Sequence, residues 1–429
     1  MIDIKLIRTK EEEIKKALMK RMDNIDFKDL VDWDKRKRHI IQEIELLKAK
    51  KNKKNSQIQL SYKKGEPIEA YAEEVKELSH HIQELDAELS EIEIKINNFL
   101  EALPNIPDED VPGGGKENNQ IIREWGQKPN FEFTPKDHVE LVTSLGLIDY
   151  KRGVKLSGKG FWLYKGYGAL MEWGLFNYFI EEHLKAGYEF ILPPHILNYQ
   201  CGYTAGQFPK FEKDVFQLIS ASNKKEGEFK FLLPTAETAL INLYQDEILK
   251  EDELPKKLFA YTPCYRREAG GYRTNERGMI RGHQFNKVEL FQFTLPEKSE
   301  EALNELLAKA EKLVQGLGLH YRVSKLAAND CSAAMAKTYD IEVWIPSISE
   351  YKEVSSASNA RDYQARRGNI RFKRKDKKKL SYVHTLNASG LATSRLIPAI
   401  VEQFQQQDGT VVVPEVLRKW VGKDFLGKK

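Results

Sequence analysis

Between Val75 and Phe99 the apolar residues recur at alternating steps of three and four. Val75, Leu78, Ile82, Leu85, Leu89, Ile92, Ile96 and Phe99 form an unbroken heptad stripe, the spacing that gathers side chains on one helix face. Upstream, Trp33, Ile40, Ile44, Leu47 and Ile58 mark a compatible stripe, interrupted by Lys37, Lys51 and Lys54. Lys63-Lys64-Gly65-Glu66-Pro67 separates the two and supplies turn chemistry. The pattern from about Asp29 to Leu100 therefore predicts an antiparallel coiled-coil hairpin. With roughly 30 residues per helix at ~1.5 Å each, its arm would be roughly 45 Å long.

The helical period stops at Leu103-Pro104-Asn105-Ile106-Pro107, and DEDVPGGGKENN follows without periodicity. Proline, glycine and acidic residues in that density read as a linker. The chain thus divides into a helical arm over 1–103, a linker over 104–135 and a larger domain over 136–429. In the larger domain, helices are predicted over Asp137–Leu145, Gly168–Ala186 with Gly187 as cap, Glu297–Gly316 and Gly390–Gln406. Strands are predicted over Tyr188–Leu192, Phe229–Leu233, Leu258–Pro263, His320–Ser324, Ile341–Ile345 and Tyr351–Ser356. Short links between strands favour a largely antiparallel sheet flanked by helices, an α+β class. No GxGxxG or GxxxxGK[ST] loop is present, which disfavours a Rossmann or P-loop fold.

One stretch concentrates chemistry. Cys264 to Leu290 holds five arginines, three glutamates and four glycines, with an alternating apolar segment at each end. Two strands around an arginine-rich loop make a hairpin able to hold an anion at its base.

Composition narrows the class. At 429 residues, with 41% hydrophobic and 31% charged, the chain suits a soluble protein of two domains. Its net charge of +4 does not announce a polyanion binder, so any basic surface is local. The first arm helix carries such a surface: Lys35, Arg36, Lys37, Arg38, Lys48, Lys50, Lys51, Lys53 and Lys54, with Lys63 and Lys64 at the turn. These charges either pair across the hairpin or meet the phosphates of a structured RNA. A second basic run, Arg366 to Lys379, reads mainly as a solvated loop. Cys201, Cys264 and Cys331 lie far apart, so neither a disulfide framework nor a zinc pair is indicated. Neither a signal peptide nor a membrane span of ~20 apolar residues is recognisable, so a cytoplasmic location is expected.

Several segments together resemble seryl-tRNA synthetases, a class II aminoacyl-tRNA synthetase family, over essentially the whole length. They are the arm, LPNIPDEDVP, GALMEWGLFNYF with AGYEFILPP, GQFPKF, PTAET, CYRREAG with RGHQFNKVEL, YDIEVWIP, EVSSASNARDYQARR, HTLNASGLATSRL and DGTVVVPEVLRKW. The resemblance implies an antiparallel six-stranded catalytic sheet with flanking helices. It implies activation of L-serine by ATP with Mg²⁺, then transfer to the 3′ end of serine tRNA, and of selenocysteine tRNA where present. It also implies a homodimer in which the arm guides tRNA, with no membrane and no DNA among the partners.

The resemblance also assigns residues. Arg266 meets the α-phosphate, Arg395 the γ-phosphate and Glu268 the adenine side of ATP. Arg267, Gly282, Val354 and Ser355 join the nucleotide site. Glu353 and Ser356 form an oxygen site for Mg²⁺. Thr235 and Glu237 stand near the amino group of serine, Glu289 and Ser389 near its hydroxyl end, with Asn387 beside them. The chemistry agrees: a carboxylate attacking a phosphate brings two anions together, so fixed cations must neutralise developing charge.

Three departures from the family pattern stand out. Gly160 replaces an arginine in Ser157-Gly158-Lys159-Gly160-Phe161, GYRTNERG moves the loop's acidic residue to Glu276, and Asn387-Ala388-Ser389 replaces Asn-Gly-Ser. Two other readings are weighed: a relative that loads a carrier protein, against which the arm argues, and an inactive RNA-binding paralogue, against which the retained Arg266, Glu268, Glu289, Glu353, Ser389 and Arg395 argue.

Overall fold

The computed structural model describes residues 1–65, 67–218, 229–268, 278–375 and 379–427. They form two units, Met1–Pro104 and Asn105–Lys429.

In the first unit, short helices α1 (Ile4–Thr9) and α2 (Glu11–Leu18) precede the long α3 (Lys28–Lys64) and α4 (Glu69–Ala102). The short pair is not announced by the heptad stripe, although Ile14 and Leu18 of α2 are buried at helical spacing. The long helices have 37 and 34 residues, so at ~1.5 Å per residue each exceeds the expected length of roughly 45 Å. Ile40, Ile44 and Leu47 are buried on α3, and Ile82, Leu85, Ile92 and Ile96 on α4. Gly65 ends α3 in the left-handed region at φ 72°, its N–H donating to the carbonyls of Ser61 and Tyr62, the termination a glycine permits. Ion pairs Arg36–Glu88, Lys37–Glu93 and Lys54–Glu74 cross the hairpin; the start of α3 meets the second half of α4 and the end of α3 meets its start, as antiparallel helices require. Glu66, within the expected turn, lies outside the described residues.

The second unit is built on an eight-stranded sheet. Its strands are β1 (Gln120–Trp125), β2 (Glu189–Ile191), β3 (Lys256–Tyr265), β4 (Gln284–Thr294), β5 (Tyr321–Lys325), β6 (Lys337–Ile345), β7 (Glu350–Arg361) and β8 (His384–Ala392). The spatial order is β1-β5-β6-β7-β8-β4-β3-β2. Every pairing is antiparallel except β2 with β3. The expected six strands are thus the interior of the sheet, and an extra strand extends each edge. Helices α5 (Tyr167–Lys185), α6 (Ser299–Gly316) and α7 (Thr393–Gln403) share its core. Met171, Leu175 and Phe179, Leu303, Leu306 and Ala310, and Leu396, Ile397 and Ile400 pack with Val288, Leu290, Ile341 and Ala388.

Two expectations are corrected. The linker read over 104–135 is largely part of this unit. Asn105 Nδ2 donates to the carbonyls of Ala334 and Ala360, Asp108 pairs with Arg361 at 2.5 Å, and β1 pairs with β5. All six residues of β1 are exposed, so no alternation betrays the strand. The helix expected over Gly390–Gln406 begins only at Thr393, because His384–Ala392 is β8, held between β4 and β7. Small residues in NASGLA carry little strand propensity, and tertiary pairing decides. Among the described residues no helix is long and apolar enough to cross a membrane. The hairpin loop with Glu276, and Asp376 to Lys378 of the second basic run, lie outside the described residues.

Candidate active site

Three adjoining cavities form a cleft over strands β4, β6, β7 and β8. Arg266, Glu268, Gly282, Glu353, Val354, Ser389 and Arg395 line the first, with Phe285 and Lys287. The second, of about 450 Å³, shares Arg266 and Glu268 with it and adds Thr235, Pro234 and Phe211. The third, of about 460 Å³, shares Glu353 and Arg395 with the first and adds Ser356, Asp340 and Glu342. Residues as far apart in the chain as Phe211 and Arg395 are thus brought to one place by the fold.

Strand geometry explains why. Glu289 of β4 is the direct partner of Ser389 on β8, and directly opposed residues share a face with Cβ atoms about 5 Å apart. A register shift in β6–β7 leaves Val354 unpaired, with Glu353 opposite Glu342 and Ser355 opposite Ile341. Regular alternation would place Glu353 and Ser356 on opposite faces; the bulge turns both into the same cavity. Ser355 is turned elsewhere and donates to the Ser389 carbonyl at 2.6 Å.

The cations are held rather than loose. Arg266 Nε donates to the Pro234 carbonyl at 3.2 Å, and its guanidinium lies 5.1 Å from the centre of the Phe285 ring. Arg395 Nη1 donates to the main-chain oxygen of Glu353 at 2.7 Å and to its carboxylate at 3.2 Å. Glu268, at φ 49°, binds Arg281 at 2.5 Å. Arg267 is not among the residues lining the cleft; its guanidinium donates to the Lys213 carbonyl. A Cβ at Gly282 would stand 2.2 Å from the Trp162 ring, so the backbone passes where only glycine fits. Gly160, the departure from the family pattern, sits at φ 81° and accepts a hydrogen bond from the His283 N–H.

At the other end is a polar knot that the sequence reading only half identifies. Buried Lys287 pairs with buried Glu289 and donates to Thr235 Oγ1 at 2.7 Å. Burial pushes the Glu289 carboxyl up against the pull of Lys287. Glu237 accepts from Gln364 at 2.7 Å and from Asn387; burial, and then the Glu289 charge, raise it to about 7. Lys287 and Gln364 are absent from the expected set. The signal available for Lys287 is its spacing of two from Glu289 on a strand, which puts both charges on one face. Gln364 carries no such signal.

The oxygen site fits a hard cation of the Mg²⁺ kind. Glu353 offers a carboxylate and Ser356 a hydroxyl to the third cavity. Ser356 is itself steadied by a 2.7 Å bond to Asp340, whose carboxyl burial and the neighbouring Glu353 raise well above its usual range. One or two protein oxygens, completed by phosphate and water, is how Mg²⁺ is commonly bound. Among the described residues no cluster of three or more His, Cys, Asp or Glu forms an all-protein metal cage.

Comparison with known proteins agrees along the whole chain. The family model described as seryl-tRNA synthetase N-terminal domain matches residues 1–107. That described as tRNA synthetase class II core domain (G, H, P, S and T) matches residues 216–404. Serine–tRNA ligase 2 of Clostridium acetobutylicum is 66% identical over 427 residues, covering 99% of this chain and 100% of that protein. The serine–tRNA ligase of Thermodesulfovibrio yellowstonii is 44% identical over 430 residues, with 99% and 100% covered. Seryl-tRNA synthetase from Pyrococcus horikoshii complexed with ATP superposes with a TM-score of 0.92 at 34% identity, with 100% of both chains covered.

Proposed function

The chain belongs to the seryl-tRNA synthetase family, and on that premise we propose how its own side chains divide the work. It is a serine–tRNA ligase, activating serine with ATP and charging tRNA with the product. The observation that carries the residue assignments is the meeting of Arg266, Glu353, Arg395 and Ser389 in one cavity, bounded by the Lys287–Glu289–Thr235 knot.

In this reading the carboxylate of serine attacks the α-phosphorus of ATP, a new P–O bond forms, and pyrophosphate leaves. Arg266, fixed by Pro234 and Phe285, neutralises charge on the α-phosphate as it develops. Arg395 takes the γ-phosphate, and Glu268 the adenine side beside the Phe285 ring. Glu353 and Ser356 would hold Mg²⁺, which supplies charge neutralisation at the phosphates when bound. Gly282 and Val354 line the nucleotide site with their backbone. Glu237 and Thr235 take the ammonium of serine. Glu289 and Ser389 meet its hydroxyl, with Asn387 bracing Glu237. A pocket built to bond a hydroxyl rejects the analogue lacking it by about 10⁴–10⁵-fold, because its polar groups are left unpaired. Lys287 sharpens this, since it fixes the lone pairs of both Glu289 and Thr235.

The arm takes the tRNA. Lys35, Lys48, Lys50, Lys53, Lys63 and Lys64 stand exposed on α3 and its end, the arrangement that meets phosphates without reading bases. Assembly as a homodimer in the cytoplasm completes the reading. Leu170, Trp173 and Leu184 support it, exposed along one stripe of α5.

Exchange of pyrophosphate into ATP, driven by each amino acid in turn, tests activation, and charging of serine tRNA tests transfer. Removing residues 30–100 is expected to leave serine-dependent exchange within about twofold and to lower charging by about 10³-fold or more, the loss expected when many phosphate contacts go. Exchange that ignores serine would overturn the substrate assignment. Charging that survives the deletion would overturn the role of the arm.

A further inference from the structure

Glu172 of α5 serves none of the roles above, yet its side chain is 5% exposed. Its Oε1 accepts two hydrogen bonds, from Asn286 Nδ2 at 2.9 Å and from Thr393 Oγ1 at 2.6 Å. The same Thr393 hydroxyl reaches the main-chain oxygen of Asn286 at 3.3 Å. Its second oxygen, Oε2, is buried without a hydrogen-bond partner among the described residues. Three separate elements are therefore tied at one carboxyl. Asn286 lies on β4 between Phe285 and Lys287, both of which line the cleft. Thr393 is the first residue of α7, two positions before Arg395.

A carboxyl in this place is expensive. Burial raises it to about 7, and the groups that oppose the rise are hydrogen-bond donors, none of them a cation. The titratable groups facing it are Tyr164 and Tyr261, whose hydroxyls it raises in turn. If α5 needed only to fill its core, Leu or Met would serve without the desolvation penalty. What the carboxyl does, and an apolar side chain could not, is hold Asn286 and Thr393 together.

We propose that Glu172 is a positioning residue for ATP, fastening the start of α7, and with it Arg395, to the strand that carries Phe285 and Lys287. The proposal rests on the reading of this cleft as the ATP site. Ionised, the carboxylate makes both bonds charge-assisted and roughly twice as strong as the neutral acid does. ATP affinity therefore tightens as pH rises through the titration of this group. Gln in its place keeps the acceptor oxygen but stays neutral at every pH.

The test is pyrophosphate exchange by the full chain and its E172Q and E172A variants, with KM for ATP and for serine measured from about pH 6 to about pH 8.5 beside thermal melts. E172A is expected to raise the ATP KM about tenfold and to leave the serine KM within about twofold, the size of effect expected from losing hydrogen bonds to a charged group. E172Q is expected to match the wild-type ATP KM at the acidic end and to lack its tightening towards alkaline pH. Variants with wild-type ATP KM and only a lower melting temperature would overturn the proposal and leave Glu172 a structural residue. If E172A does not fold, E172Q decides: a flat profile supports the proposal, and a wild-type profile overturns it. Failure of the underlying reading looks different, because the wild-type protein itself would then show no ATP-dependent exchange.

Discussion

In the arm, Lys37 meets Glu93 with side chains 31% and 46% exposed, whereas in the cleft Lys287 meets Glu289 at 8% and 3%. The residue types are the same and the consequences are opposite. Around the arm pair, water screens both charges and replaces either partner when it is lost. Around the cleft pair water does neither, so removing one partner leaves the other charge buried without its counter-charge. The arm can spend its lysines on an external polyanion, many at a time and none individually decisive. The cleft has committed its charges to one geometry, and on the proposed assignment that commitment is what would let it tell a hydroxyl from a methyl group.

The sharpest way to break this contrast is to remove one partner in the cleft. Lys287→Met strands Glu289 in a buried site and unties Thr235. The expected cost is about 3–5 kcal/mol of stability, the range for breaking a buried pair, read as a lower urea midpoint at unchanged slope. Serine-dependent exchange should fall with it. Adding Glu289→Gln should return most of the stability and little of the activity, because folding needs the charge balanced while serine needs the hydrogen bonds. A single variant as stable as the wild type would show that the knot is wetter than its burial implies.

A smaller effect follows from Glu237, which burial and the neighbouring Glu289 raise to about 7. The sign follows from the direction of the shift. A carboxyl raised on folding binds more protons folded than unfolded. Its contribution to stability is whole below its ordinary value near 4.5 and is lost as pH rises through about 7. On the proposed assignment of Glu237 to the serine ammonium, function runs the other way, since only the carboxylate attracts that group. kcat/KM for serine is expected to climb with pH and level off above about 7, reporting the free enzyme. Glu237→Gln should lower and flatten that curve. A rise of the same midpoint in the variant would assign the titration to another group.

How far the sequence reaches differs between the same two regions. The arm is legible nearly residue by residue, because a heptad stripe is a local signal and Gly65 marks its turn. The interior strands are legible for a related reason: LFAYTPCY and HQFNKVELFQF alternate. The edge strand β1 is hidden because it buries no face, and β8 because its small residues take strand form only through β4 and β7. Among site residues, Arg266 and Arg395 are reached by resemblance, whereas Lys287 is missed. The joint presence of Glu353 and Ser356 in one cavity depends on the bulge at Val354, which no spacing rule foretells. Gln364 and Glu172 are unreadable in a different sense, since their meaning lies in partners distant along the chain.

The smallest effect expected is the one that completes the comparison. Lys37→Ala breaks the arm pair to Glu93, and exposed pairs of this kind are worth about 0.2–1 kcal/mol. The melting temperature should therefore barely move, and serine-dependent exchange should not move at all. Lys37 also contributes one positive charge among many on α3. If the arm works by displacing counterions, each neutralised phosphate adds about −0.7 to −0.9 to the slope of log affinity against log salt. Removing Lys37 should then either leave that slope unchanged, because Glu93 had already claimed the charge, or make it shallower by about one such step. The first outcome is expected, since the 2.8 Å pair occupies the ammonium, and Lys35→Ala should give the second. A variant pair with the opposite order would place Lys37 at the phosphates and return the pairing with Glu93 to a contact made only when RNA is absent.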